Sequence, residues 1–348
     1  MERMEPITKT EGSSKNILVL EEPTAGDPGR GAFEFTDYFS VFDWGRFTDE
    51  PVSGKGEAMA AVVKKYFELL NEAGIKNHYQ GISGPAIMNV ALVDIPPAYA
   101  NIEPGLKNYL LPIEIIFRTY THPASSDLKK IKEGKRTYQE LGYDQMPQPN
   151  QRLPRVKISY STKLEETDRI LSREEARILS GLDESEMDKL ETLARRVCDI
   201  ITGDSEKIGL IHYDGKIEIA KDASGDFMVV DVLGTLDEDR FMMGAGGGNF
   251  VDVSKQFIRN WYAAQEWKKE VDAAKKIAEE KNEKNWKQFC NLPPKMPEKV
   301  KKLISEMYLA DAKDRAGVDL GEKYGIKLRP LSEIAREIYL VEQNYLKE

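Results

Sequence analysis

The chain has 348 residues, with 59 acidic against 50 basic side chains and a formal net charge of −9. That balance argues against a nucleic-acid backbone as partner. Hydrophobic residues at 41% and charged residues at 31% describe a soluble globular chain, long enough for two lobes around a sizeable core, and no apolar run approaches the roughly 18 residues a membrane span needs.

The opening stretch MERMEPITKTEGSSK is polar and acidic, unlike a secretory signal, so a cytoplasmic location is expected, with no membrane partner. Two cysteines far apart, Cys198 and Cys290, make neither a disulfide framework nor a zinc spacing. The three histidines, His78, His122 and His212, are too few for chemistry built on imidazole clusters. Carboxylates, lysines and arginines must carry any catalysis.

In chain order, Ile17 to Leu20 and Ala32 to Asp37 read as strands joined by the turn-rich PTAGDPGRG. A helix is predicted over Glu57 to Ala73, stopped by Gly74. ALVDIPP and the β-branched LLPIEIIFRTY read as strands. Residues 122 to 155, with four prolines, read as loop. Ser172 with Glu175 and Asp183 with Glu186 have capping-box spacing, the second opening a helix that should end near Ile201 before Gly203. IGLIHY, GKIEIA and DFMVVDVL read as three strands with short turns. GAGGGNF, Gly244 to Phe250, fits no phosphate-loop pattern and reads as a flexible loop. From Phe257 to Phe289 the chain should be helical and anchored by Trp261, Trp267 and Trp286, with two further helices in 292–348.

The stretch VVDVLGTLDEDRF, Val229 to Phe241, sets Asp231 inside an apolar run. If KDASGD is a symmetric hairpin loop, Ala220 pairs with Phe227, Glu218 with Val229 and Lys216 with Asp231. Glu218 and Asp231 then project from one face within reach of one cation. A one-residue slip breaks that geometry. Two carboxylates suit Mg²⁺ when phosphates supply further ligands. An ordinary surface hairpin with alternating charges is the competing reading.

Six segments in order resemble the SAICAR synthetase (phosphoribosylaminoimidazole-succinocarboxamide synthase) family. They are Thr36 to Asp43 followed by Gly54-Lys55-Gly56; PIEIIFRTY with Arg118; Ser161 to Glu166 with Asp168; Lys216-Ile217-Glu218; Asp231 to Phe241; and Ser254 to Trp261. The chain departs from the family pattern at several places. Gly12-Ser13-Ser14-Lys15 lacks the first Lys of the glycine-rich entry. Val232 and Leu236 stand where the family has Glu and Pro. Thr167 stands for a His, and His122-Pro123-Ala124-Ser125 replaces a small turn.

The resemblance implies an α+β, two-lobed fold: an ATP-grasp-like catalytic lobe (113–262), a kinase-like small lobe (12–112) covering the nucleotide, and a helical extension (263–348). It implies ATP and Mg²⁺, and the small-molecule substrates carboxyaminoimidazole ribonucleotide and L-aspartate, joined through an acyl phosphate. Gly12, Lys15, Glu218 and Asp231 would bind ATP, the last two through Mg²⁺. Lys216, Asp237 and Arg240 would be catalytic. Asp37, Ser40, Asp43, Lys55, Gly56, Arg118, Lys163, Asp168 and Lys255 would bind substrate, with Arg259 one helical turn beyond Lys255. The plainer alternatives are turn capping by Asp37, Ser40 and Asp43, a loop lysine at 55, an Arg118–Glu114 ion pair, and a solvated helix face at Lys255. At the level of function, the competing readings are a same-fold ligase or kinase on another small anion and a non-catalytic interaction protein. The oligomeric state stays open, a homo-oligomer included.

Overall fold

The structure, a computed structural model, describes residues 6–24, 26–98, 102–165 and 168–345; Thr167 lies outside them. Two antiparallel sheets dominate the first 252 residues. The first takes β1 (Thr8–Glu11), β2 (Lys15–Glu21), β3 (Gly29–Phe35), β4 (Tyr79–Gly84) and β5 (Ile87–Leu92) in the order β1-β2-β3-β5-β4. Helix α1 (Lys55–Glu72) packs on it. Its small and apolar residues recur every three to four positions, which buries Met59, Val62, Val63, Tyr66, Phe67 and Leu70 together. Gly74, at φ 66°, ends it as expected.

The second sheet uses β6 (Tyr109–Tyr120), β7 (Arg152–Thr162), β8 (Ile170–Leu171), β9 (Leu210–Lys221), β10 (Phe227–Val230), β11 (Arg240–Gly246) and β12 (Asn249–Asp252). Its order is β12-β11-β9-β6-β7-β8, with β10 on the far end of β9. The alternation of β6 and β9 turns Ile113, Ile115, Phe117, Ile217 and Ile219 into the core. Helix α4 (Glu184–Glu206) covers that face with Met187, Leu190, Ala194, Val197 and Ile201. Both expected capping boxes are present, at Ser172 on α3 (Arg173–Leu179) and at Asp183 on α4.

Four expectations change. Helix α4 runs through the exposed Gly203 to Glu206, because tertiary bonds hold its last turn: Lys65 pairs with Asp204 at 2.7 Å and Tyr66 meets Ser205 at 3.2 Å. These offset the roughly 1 kcal/mol that a helical glycine costs. IGLIHY and GKIEIA form one continuous strand, β9. Gly215 is there for close approach, since a Cβ would lie 2.4 Å from the Asp239 carboxyl carbon. GAGGGNF is a hairpin between β11 and β12, with Gly247 and Gly248 supplying positive φ of 60° and 79°. Within 122–155, Ser125 caps a short helix α2 (Ser126–Lys132) and β7 begins at Arg152.

The C-terminal third is helical, as expected: α5 (Lys255–Ala263), α6 (Glu266–Glu280), a 3₁₀ turn at Trp286–Phe289, α7 (Glu298–Ala316) and α8 (Leu331–Tyr345). Trp44, between β3 and α1, packs edge-on against Trp267 and Trp286, with ring centroids 5.3 and 5.6 Å apart. One continuous apolar core contains residues of both sheets and of α7 and α8.

Gly234, at φ +67°, faces the Tyr66 ring, and an added Cβ would sit 2.5 Å from it. That ring is fixed by the hydrogen bond its hydroxyl shares with Ser205 and the one it accepts from Arg315. Gly234→Ala should therefore cost about 2 kcal/mol or more in urea unfolding. A loss under about 0.5 kcal/mol would mean that the turn relaxes around the methyl group.

Candidate active site

The second sheet has a chemically opposite face to its core. Cross-strand partners share a face, and three consecutive rungs of β7, β6 and β9 carry polar groups there. The first is Ser161, Glu114 and Glu218; the second is Ser159, Ile116 and Lys216; the third is Lys157, Arg118 and Asp214, extended by Arg240 of β11. The face is acidic at one end and carries arginines at the other.

The acidic end depends on one turn. The β9–β10 hairpin closes through the three residues Ala223, Ser224 and Gly225, with Gly225 at φ 94°. Asp222 accepts from the backbone N–H of Ser224 and Asp226, both at 2.9 Å. The loop is therefore odd-numbered, as three-residue hairpins with a left-handed glycine are. Register shifts by one from the symmetric expectation: Glu218 pairs with Val230, Ile219 with Val229, and Lys221 with Phe227. Continued alternation would send Asp231 to the core side opposite Ile217. Instead the chain turns left-handed at Asp231, at φ 64°. The carboxylate swings to the polar face and pairs with Lys15 at 2.5 Å. The two carboxylates meet, by a route that strand alternation does not describe.

Glu218 and Asp231 lie close enough that each shifts the other's pKa. Burial and the Asp231 charge push Glu218 well above the usual carboxylate range. Burial acts on Asp231 too, but the Lys15 and Lys163 charges hold it well below. These opposite shifts are those of two carboxyls sharing a proton. A dication would replace that proton, so the donor chemistry fits Mg²⁺ with phosphate oxygens completing its shell. Among the described residues no group of three His, Cys, Asp or Glu forms a self-sufficient metal site.

Lysines interleave these acids. Lys163 contacts Glu218 at 2.5 Å and Glu114 at 3.4 Å; Lys216 contacts Glu114 at 2.7 Å and Glu238 at 3.5 Å. Asp168 is exposed, and partial desolvation and the Glu114 charge raise its pKa. Gly12 sits in the β1–β2 turn next to Lys15, its N–H bonded to the Lys15 carbonyl at 2.9 Å.

At the other end, Arg118 is buried. It bonds Ser159 and lies 3.8 Å from Asp127 of α2. The expected Glu114 alternative is overturned, because residues four apart on a strand occupy different rungs. Arg240 makes a bidentate pair with Asp214 and approaches His122 Nδ1 at 3.2 Å.

Asp237 is fully buried between two lysines, with Lys55 Nζ at 3.0 Å and Lys255 Nζ at 3.5 Å from Oδ2. Lys55 is therefore no loop lysine: it is the first residue of α1 and has no solvent exposure. Burial lowers its pKa against the pull of Asp237. Asp37 accepts from the N–H of Gly54 and Gly56 at 3.2 and 2.9 Å, so it caps the entry to α1, as the plainer reading has it. Gly56 is pressed against the Phe35 carbonyl, which a Cβ would meet at 2.8 Å.

A cleft of about 670 Å³ lies beside this node, lined by Gly12, Ser13, Ser40, Asp43, Lys255 and Arg259 among others. Asp43, at φ 63°, pairs with Lys275 of α6. Lys255 and Arg259 face the cleft together, so theirs is not a solvated helix face. Arg259 has no ion-pair partner among the described residues, and burial and the neighbouring Arg240 pull its pKa down.

The sequence reading missed His78, Glu238, Asp214 and Tyr308 as members of this site. Alternation through Asp214, Lys216 and Glu218 was the available signal for Asp214. The others arrive from other elements and left none. His78 packs edge-on and tilted between Phe33 and Phe67, and its Nε2 donates to the Asp231 carbonyl at 3.1 Å. Its own N–H bonds the Val229 carbonyl, and Val229 N–H bonds Lys76. The segment between α1 and β4 thus clamps β10 where the chain turns at Asp231.

Burial lowers the His78 pKa from 6.5 to about 4. Below pH 6.5 the unfolded chain gains a proton that the folded chain refuses. This contribution is complete above pH 6.5, falls as pH drops and levels off near pH 4, a loss of about 3 kcal/mol at most. His78→Gln keeps a donor without titrating. Its unfolding free energy should drop less between pH 7.5 and 5 than that of the natural chain; equal drops would remove His78 from the acid response.

A family model described as SAICAR synthetase matches residues 11–274. A relative from Thermoplasma acidophilum named phosphoribosylaminoimidazole-succinocarboxamide synthase is 29% identical over 278 residues, 79% of this chain and 89% of its own. One from Archaeoglobus fulgidus, given that name provisionally, is 36% identical over 323 residues, 88% of this chain and 93% of its own. Among solved structures, the SAICAR synthase from Saccharomyces cerevisiae complexed with SAICAR superposes with a TM-score of 0.65 at 20% identity, over 92% of this chain and 97% of that one. With the family match spanning both sheets and the relative from Archaeoglobus aligned over nearly its whole length, this chain belongs to the SAICAR synthetase family.

Proposed function

We propose that the polar face and its cleft carry out the ligation for which the family is named, in purine biosynthesis. The imidazole carboxylate of carboxyaminoimidazole ribonucleotide attacks the γ-phosphorus of ATP and ADP leaves. The amine of L-aspartate then attacks the acyl carbon, phosphate leaves and the nitrogen loses a proton, giving SAICAR. The observation that carries this reading is the pair of adjacent carboxylates, Glu218 and Asp231, held by Lys163 and by Lys15 of the Gly12–Lys15 turn.

In this reading the first sheet belongs to a kinase-like small lobe (12–112) that covers the nucleotide. The second belongs to an ATP-grasp-like lobe (113–262), and 263–348 is a helical extension. Gly12 and Lys15 meet the ATP phosphates, the lysine as a point charge. Glu218 and Asp231 hold Mg²⁺, which neutralises charge on the transferring phosphoryl group. Lys163 pairs with Glu218 and Glu114, Lys216 with Glu114 and Glu238, and both lysines offset charge that develops at the carboxylate under attack. Asp237 sets Lys255 beside Arg259, and these two with Ser40 receive an anionic substrate. Asp43 borders the cleft, and it and the exposed Asp168 accept from substrate N–H or O–H groups.

One observation favours a second reading, a ligase or kinase of the same fold on a different anion. Arg118 and Arg240, which the resemblance assigns to substrate and catalysis, already face Asp127 and Asp214. Incubation with ATP, Mg²⁺, L-aspartate and carboxyaminoimidazole ribonucleotide separates the two. ADP and succinocarboxamide in equal amounts support the first. ADP formed only with another small acid supports the second.

Asp231→Asn should lower kcat/KM on the order of a hundredfold, with partial recovery at high Mg²⁺. Natural turnover by that variant at low Mg²⁺ would end the metal role of Asp231.

A further inference from the structure

Helix α7 lies beyond the segment that the family model matches, which ends at residue 274. It nevertheless enters the site. Tyr308, Asp311 and Arg315 recur at i, i+3 and i+7, so they share one helix face, and all three are buried. Arg315 Nη1 donates to the Gly234 carbonyl at 2.7 Å and to the Tyr66 hydroxyl at 2.9 Å, and its guanidinium is held by Asp311. Two helical turns away, the Tyr308 hydroxyl donates to Asp237 Oδ1. One face of α7 therefore grips both ends of the turn Gly234–Thr235–Leu236–Asp237.

The two oxygens of Asp237 have different partners. Oδ1 accepts from Tyr308; Oδ2 faces Lys55 at 3.0 Å and Lys255 at 3.5 Å. The Tyr308 ring also lies over the Lys55 ammonium, 5.3 Å from centroid to Nζ. Burial and the adjacent Asp237 keep the phenol protonated, so it can only donate to that carboxylate.

We propose that Tyr308 is a positioning residue of the ligase site: by fixing the rotation of Asp237 it leaves Lys255 only loosely paired, with N–H donors free, beside Arg259, to hold the anionic substrate in the cleft. This rests on the reading of the cleft as the substrate site. Without the hydroxyl, Asp237 turns further onto its lysines and draws Lys255 out of the cleft.

The test is a double-mutant cycle on the full chain with Tyr308→Phe and Asp237→Asn. Tyr308→Phe removes a hydrogen bond to a charged group, so the KM of one anionic substrate should rise about tenfold. The dissociation constant for a non-hydrolysable ATP analogue should stay within about twofold. The double variant should lose little beyond Asp237→Asn alone. Unchanged KM values in Tyr308→Phe, or losses that simply add, would overturn the proposal. So would a parallel weakening of nucleotide binding and thermal stability, which is what a general packing role would produce. Titration of the same variants with inorganic phosphate, followed by chemical shifts of the Arg259 side chain, reads the anion site without turnover. If the natural chain makes no succinocarboxamide, the ligase reading falls, and the phosphate titration still decides the role of Tyr308: weaker binding in Tyr308→Phe supports it, equal binding refutes it.

Discussion

A carboxylate buried between two lysines joins three separate parts of this molecule. Asp237 belongs to the turn between β10 and β11, Lys55 opens α1, and Lys255 opens α5. Tyr308 of α7 completes the group. A lysine at a helix N-terminus meets the positive end of the dipole, and a buried ammonium costs several kcal/mol to dehydrate. Lys55 bears both penalties, and Asp237 is the ion-pair partner that offsets them. Removing either partner would leave an uncompensated charge in the core. The pairing ties the start of α1, the β10–β11 turn and the start of α5 to one buried point.

The same rule orders the polar face. Glu114, Glu218, Asp231 and Glu238 crowd one end, and each faces Lys15, Lys163 or Lys216. At the other end Arg118, Lys157 and Arg240 face Asp127 and Asp214. Strand alternation makes this possible at low cost, because Ile113, Ile115, Phe117, Ile217 and Ile219 on the reverse side supply the burial that holds the sheet. One pair of strands thus carries both core and chemistry. Arg259 stands apart from the pattern, since it faces the cleft without a carboxylate partner among the described residues.

Much of the fold was legible in the chain. The apolar stripes of α1 and α4, both capping boxes, the long strand β6 and the helical last third all follow from local patterns that short-range physics enforces. The departures share a cause. Gly203 and Gly215 read as breaks, yet Lys65 and Tyr66 hold the last turn of α4, and Asp239 packs where Gly215 has no side chain. A glycine marks freedom or close approach, and only the neighbouring element says which.

The residue types of the site were legible as well. Lys216, Glu218, Asp231, Asp237 and Lys255 could be picked out by their order and by resemblance, and the meeting of two carboxylates could be anticipated. The tertiary structure decided how they meet. A three-residue turn shifted the hairpin by one, and a left-handed backbone at Asp231, clamped by His78 just ahead of β4, returned the carboxylate to the face that alternation denied it. It also decided that Lys55 is buried and that α7 reaches Asp237. Local sequence sets which groups can carry charge and which way a regular strand turns its side chains. Which charges are buried together, and so which must pair, depends on elements far apart in the chain, as the Lys55–Asp237 pair illustrates.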